Sequence, residues 1–158
     1  MKQKGVTLIQ TMSALAVAAL LTQLGMPAYA KLSDDLHRAA AARDLAQALR
    51  SARSHAMLQS QPVRVQPLHN DWGKGWQVVL ERNQQVLREH SLTRPLKIAN
   101  SAGTQMRFSA LGVPLGRGSS FGGGTLTVCN SPYQVVLAPT GRISLRSGEP
   151  EGSTCAGL

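Results

Sequence analysis

Three regimes of hydrophobic patterning succeed one another along the chain. From Val6 to about Ala30 the apolar residues fall on every side, and no Asp, Glu, Lys or Arg interrupts them. A helix apolar all round needs lipid or protein around it. Beyond Asp34 and Asp35 the apolar positions thin to a stripe. Leu45, Leu49, Ala52 and Ala56 recur at helical spacing. Arg38, Arg43, Arg50 and Arg53 lie mostly off that stripe, which predicts a solvated face. The helix pattern fades at Gln61-Pro62, where proline discourages continuation. One helix from Val6 to about Ser60 would be ~80 Å long at 1.5 Å per residue.

After Pro62 the period drops to two. Pro62–Leu68, Trp76–Arg82, Gln85–Ser91, Thr104–Ala110, Thr125–Cys129, Gln134–Ala138 and Arg142–Arg146 read as short strands. Asn83-Gln84 and Pro139-Thr140-Gly141 read as hairpin turns, and Gly112 to Gly124 as a glycine-rich loop. The predicted fold is α+β, a long N-terminal helix packed on an antiparallel sheet head.

The first regime has two readings. Ala28-Tyr29-Ala30 followed by Lys31 is a fair A-x-A cleavage site for a secretory signal peptide. Val6 to Met26, about 21 residues, is also enough to cross ~30 Å of hydrocarbon. It exceeds the usual apolar length of a cleaved signal and carries Thr7, Gln10, Thr11, Ser13, Thr22 and Gln23. Lys2 and Lys4 would hold its N-terminus in the cytoplasm.

Charge and candidate chemistry narrow the function. The chain has 158 residues, with 17 Lys+Arg against 8 Asp+Glu and a formal net charge of +9. A field of that sign keeps a surface soluble and draws acidic partners such as nucleic acid or anionic lipid. Cys129 and Cys155 are the only cysteines. In an exported chain they read as one disulfide, closing a loop of about 27 residues for roughly 3 kcal/mol. In a cytoplasmic chain two free thiols would be the expectation. His37, His55, His69 and His90 show no metal-ligand spacing. Gly118-Ser119-Ser120-Phe121-Gly122 fits the string of a nucleophile elbow, but Gly123-Gly124 and a strand follow where that elbow needs a helix. No glycine-rich string ends in G-K-[ST]. No enzyme, cofactor or metal site is expected. Trp72 and Trp76 suit packing of the head, or stacking on bases.

Gly5-Val6-Thr7-Leu8-Ile9-Gln10 resembles the processing signal of type IV pilins and pseudopilins, G-[F/M]-T-L-I-E. The resemblance implies that a prepilin peptidase cuts between Gly5 and Val6 and methylates the new N-terminus. It implies a helix retained as an inner-membrane anchor and later packed against other pilins. Pro27 falls where these helices commonly carry a kinking proline. Gln10 departs from the family's Glu, whose carboxylate neutralises a neighbouring subunit's N-terminal amine. An amide carries no charge, so ordinary mid-filament stacking is in question, and a tip subunit with no neighbour above could do without the carboxylate.

The head is similar to the GspH/FimT group of minor pilins and H-type pseudopilins. Ala52-Arg53-Ser54-His55-Ala56 resembles its helix-end ARSEA, with His55 in place of Glu. Trp72-Gly73-Lys74-Gly75-Trp76 resembles its W-x-x-G-W, and Phe108-Ser109-Ala110-Leu111-Gly112 its F-x-x-x-G. Leu126 to Cys129 and Val136 to Arg142 resemble its closing strands with a P-x-G-R turn. The implied organisation is a leader over residues 1–5, a membrane helix over 6–30, a stem over 31–60 and a periplasmic head over 61–158.

Some members of this group bind DNA through a C-terminal G-R-x-R. Here Gly141-Arg142-Ile143-Ser144-Leu145-Arg146 puts Ser144 in the place of the second arginine. On a strand Arg142, Ser144 and Arg146 share one face, with the arginines about 13 Å apart. Arg117 is a further candidate, while Glu149 and Glu151 weaken the field. The first expectation is therefore a minor pilin or pseudopilin at or near the tip of a type IV pilus or a type II secretion pseudopilus. The alternatives are a DNA-capturing minor pilin and a signal-cleaved soluble periplasmic protein starting at Lys31.

Overall fold

The structure is a computed structural model and describes residues 7–101, 103–116, 122–148 and 155. Among the described residues one α-helix, α1 (Leu8–Gln59), is followed by nine strands. The chain divides into two compact units, Met1–His37 and Arg38–Leu158.

The first unit is the N-terminal part of α1. Its large apolar side chains for which exposure is described, among them Leu8, Ile9, Leu15, Leu20 and Leu21, are exposed. By length and composition this helix can cross a membrane. Three of its hydroxyls bond back to carbonyls of the helix. Thr11 Oγ1 donates to the Leu8 carbonyl at 2.8 Å, Ser13 Oγ to Ile9 at 2.7 Å and Thr22 Oγ1 to Ala18 at 2.8 Å. Such bonds remove the penalty of placing a hydroxyl in hydrocarbon. The polarity that argued against a discarded signal is thus compatible with lipid.

The second unit joins the rest of α1 to two antiparallel sheets. The strands are β1 (Val63–Leu68), β2 (Asp71–Leu80), β3 (Val86–Ser91), β4 (Ile98–Asn100) and β5 (Met106–Phe108). They continue with β6 (Pro114–Leu115), β7 (Gly124–Val128), β8 (Tyr133–Leu137) and β9 (Ile143–Ser147). The first sheet has the order β3-β2-β1-β5-β6 and the second β4-β7-β8-β9. A single core unites helix and sheets. Leu45, Leu49, Ala52 and Ala56 are fully buried, as the stripe predicts, against Val63, Val65, Trp76 and Phe108 of the first sheet. Leu126, Val128 and Val135 of the second sheet complete it. Aromatics are scarce, so Trp76 and Phe108 carry a disproportionate share, each of order 1.5–3 kcal/mol by burial. The α+β expectation of a long helix with antiparallel sheets holds.

The boundaries differ from the pattern in instructive places. The strand expected over Trp76–Arg82 begins at Asp71 and stops at Leu80, because Glu81 to Asn83 already turn. Thr104–Ala110 shrinks to Met106–Phe108, and β4 and β6 were not expected at all. Three and two residues are too few to display alternation. The β1–β2 ladder also jumps: Pro67 pairs with Trp76, but Leu68 pairs with Asp71. The residues between, Trp72 to Gly75, bulge out and bond elsewhere. The Leu92 N–H donates to the Lys74 carbonyl and the Leu96 N–H to Gly73, each at 2.9 Å. Only glycine permits this approach at position 73, where a Cβ would lie 1.7 Å from the Leu96 oxygen.

Candidate functional site

The arginine expected to lie on a solvated helix face, Arg53, does something else. Its Nε donates to the Gly112 carbonyl at 3.0 Å and its Nη1 to the Gly141 carbonyl at 2.9 Å. One half-buried guanidinium thereby ties the helix end to two loops. Gly141 holds φ at +85°, and a Cβ there would sit 2.8 Å from the Gly112 oxygen. The three motif fragments around Arg53, Gly112 and Gly141 are thus parts of one clamp. The missed signal was Arg53's place beside Ala52 and Ala56 of the buried stripe, one position from the core face.

Beside the clamp lies a cleft of about 460 Å³, lined by Arg50, Arg53, Ser54, Thr140, Arg142 and their neighbours. Arg50 also reaches the Ile143 carbonyl, at 3.5 Å. The lining contains three arginines and no carboxylate. Among the described residues none of Arg50, Arg142 and Arg146 has an acidic partner. Arg142 is exposed at the end of the Pro139–Gly141 turn, before β9 begins, rather than inside the strand. Arg146 is exposed on β9, opposite Gln134. Ile143 and Leu145, the alternate positions, pack against the core. Ser144 and Arg146 thus alternate with the core-packed Ile143 and Leu145 on β9, while Arg142 shares the cleft with Arg50 of the helix. Arg117 lies outside the described residues, as do Gly5, Val6 and the Gly118–Phe121 part of the loop.

The other candidates are placed as follows. Gln10 Oε1 accepts from the Thr7 backbone N–H at 3.1 Å, while the Gln10 and Thr11 N–H groups donate to the Thr7 carbonyl. This is the glutamine arm of a T-x-x-Q capping box: the Gln10 side chain satisfies the Thr7 N–H at the start of α1. Pro27 lies inside the continuous helix. Cys129 and Cys155 are bonded, with Cα atoms 5.9 Å apart. Trp76 and Trp72 are 1% and 6% exposed, so neither presents a ring face to a base. Trp76 stacks instead on His90, its cross-strand partner, with centroids 4.7 Å apart. His90 Nε2 lies 3.8 Å from Asp44 of α1. On the first sheet Arg107 forms a two-pronged pair with Glu81, Nη2 to Oε2 being 2.8 Å. That hydrogen bond holds the Glu81 carboxyl below its ordinary value, outweighing its partial burial. Among the described residues no group of His, Cys, Asp and Glu is arranged to hold a metal ion.

The family model for the type II transport protein GspH matches residues 41–141, more than half of the chain. The chain belongs to the GspH family. The matched span contains Arg53, Gly112 and Gly141, the whole of the clamp, and stops before Arg142 and Arg146. The fold of this GspH-family chain is similar to that of the type IV minor pilin FimU of Pseudomonas aeruginosa. One crystal form aligns with a TM-score of 0.58 at 20% identity, covering 80% of this chain and 98% of FimU. A second form gives 0.56 at 22% identity, covering 73% and 98%. A sequence comparison with curated proteins finds no match.

Proposed function

We propose that this GspH-family chain is a minor pilin or pseudopilin, cut between Gly5 and Val6 and anchored in the inner membrane by the N-terminal part of α1. Its head is periplasmic, and it is built into a type IV pilus or a type II secretion pseudopilus at or near the tip. The observation that carries this reading is the N-terminal unit. It exposes apolar side chains while bonding Thr11, Ser13 and Thr22 back to its own carbonyls and the Thr7 N–H to the Gln10 side chain. Such a helix is stable in lipid alone and can later trade lipid for other pilin helices. Gln10, already used as a cap, supports a terminal position, since it brings no carboxylate to a neighbouring amine. The role is assembly, and no catalytic step is assigned. Intact mass and N-terminal sequencing of the protein from its native membrane test the reading. A chain starting at Val6, with or without a methyl group, is the expected result. A chain starting at Lys31 would overturn it.

A second reading, DNA capture through the arginine face, is favoured by the acid-free cleft that Arg50 and Arg142 share. Contacts of this kind bind phosphates without regard to sequence and weaken steeply with salt. Full-length protein in nanodiscs should then retard DNA at low salt, and Arg142→Ala with Arg146→Ala should abolish the shift. No retardation at low salt removes this reading and leaves the first intact.

A further inference from the structure

The Trp72–Gly75 bulge builds a second cleft, of different chemistry from the arginine one. It measures about 300 Å³, the lower end of the range for small-molecule sites. Its lining comes from the two sheets: Asn70, Asp71 and Trp72 from the β1–β2 hairpin, Ile98 and Asn100 from β4, and Thr104 beyond it. No Lys, Arg or His lines it, in a chain of net charge +9. Anions therefore have no partner here. A single carboxylate is also too few ligands for a hard cation. Asp71 Oδ1 accepts from the Gly73 N–H at 2.8 Å, which fixes the carboxylate at the rim and leaves Oδ2 for a ligand.

Two features mark the cleft as built rather than incidental. The β1–β2 turn holds two consecutive non-glycine residues in the left-handed region, His69 at φ 51° and Asn70 at φ 61°. A tight hairpin turn of this kind is most easily made with glycine at its second position. Asn70 keeps an amide at the cleft instead, and strain of this sort concentrates at binding sites. The neighbouring bulge depends on the close approach of Gly73 to Leu96, and bulges recur beside functional sites because they re-aim side chains.

The lining polar groups are amides and a hydroxyl, which both donate and accept, and one carboxylate, which accepts. Their counterpart is a ligand whose groups also both donate and accept, namely hydroxyls. Trp72 and Ile98, almost wholly buried, form the base of the cleft and offer a ligand no open ring face, so the polar rim carries the recognition. We propose that this cleft binds one neutral sugar unit, with Asn70 and Asp71 holding adjacent hydroxyls.

The test is NMR of full-length, isotope-labelled protein in nanodiscs, which avoids sugar-based detergents. The probes are glucose, N-acetylglucosamine, a β-1,4-linked N-acetylglucosamine trimer, and glucuronate as the anionic comparator. The expected result is saturable shifts at the Trp72 indole and at residues 98–104 with a neutral sugar, and none with glucuronate. Saturation by the trimer as well as the monosaccharides identifies a polymer-borne glycan, and by monosaccharides alone a free sugar. Asn70→Gly keeps the backbone conformation and removes the amide, so it should weaken binding by about tenfold or more. Arg142→Ala should leave binding unchanged. No neutral sugar shifting these resonances at tens of millimolar, or equal binding by Asn70→Gly, would overturn the proposal.

Discussion

The two parts of α1 use much the same residues, alanine and leucine above all, to opposite ends. Between Leu8 and Leu36 every large apolar side chain for which exposure is described is exposed. From Ala42 to Ala56 the stripe Ala42, Leu45, Leu49, Ala52 and Ala56 is fully buried. Charge and arrangement separate them: no charged residue interrupts Val6 to Ala30, whereas arginines flank the buried stripe. Apolar residues on all sides cannot be covered by one sheet, so the first part needs surroundings that the chain itself does not provide. A stripe flanked by arginines can be covered by its own head. One helix thus contains an element stabilised by environment and an element stabilised by tertiary packing.

The contrast is broken most forcefully by truncating one leucine in each part. Leu49→Ala should cost about 2–5 kcal/mol, from lost burial and the cavity left behind. Leu20→Ala should leave the stability of the head within about 0.5 kcal/mol of the parent. Denaturant titration of the full chain in nanodiscs, followed by tryptophan fluorescence, reads both, since Trp72 and Trp76 report the head alone. Equal losses would refute the division.

The same contrast accounts for how legible the chain was. The membrane-length run, the stripe and most strand centres follow from periodicity, because long regular elements repeat their signal. Short β4 and β6 exist through their partners, Val128 to Leu126 for one and Arg107 and Phe108 for the other. The Trp72–Gly75 bulge and the duty of Arg53 arise from residues brought close only by folding. Arg53 reads as surface charge until Gly112 and Gly141 arrive beside it. The alternation of β9 was legible, but Arg50's share in the cleft beside Arg142 was not, because it comes from another element.

A smaller effect should follow at Arg53. Arg53→Met keeps much of the side-chain volume and removes both carbonyl partners. It should cost about 1–3 kcal/mol, whereas Arg50→Met should cost well under 1 kcal/mol. The same denaturant titration separates them. The smallest effect is electrostatic and belongs to the head. Glu81 is held below its usual pKa of 4.5 by the Arg107 hydrogen bond. A depressed carboxylate contributes stability that is fully present above the unfolded value and disappears as pH falls through the folded one. The head should therefore lose about 0.5–1 kcal/mol on acidification below about pH 4.5, as expected for a partly exposed pair screened by solvent. Glu81→Gln should flatten that part of the Tm profile against pH.

Arg53's two acceptors lie 59 and 88 residues along the chain from it. Contacts of such long range form after local ones, because loop closure must come first. The clamp can shut only once both sheets have assembled around the helix. It therefore belongs to the final stage of folding and acts as a brake on opening. Removing it should speed unfolding while leaving the refolding rate nearly unchanged, and a chevron of Arg53→Met measures the two rates separately. A subunit pulled on by its neighbours in a filament would owe its endurance to that slow release.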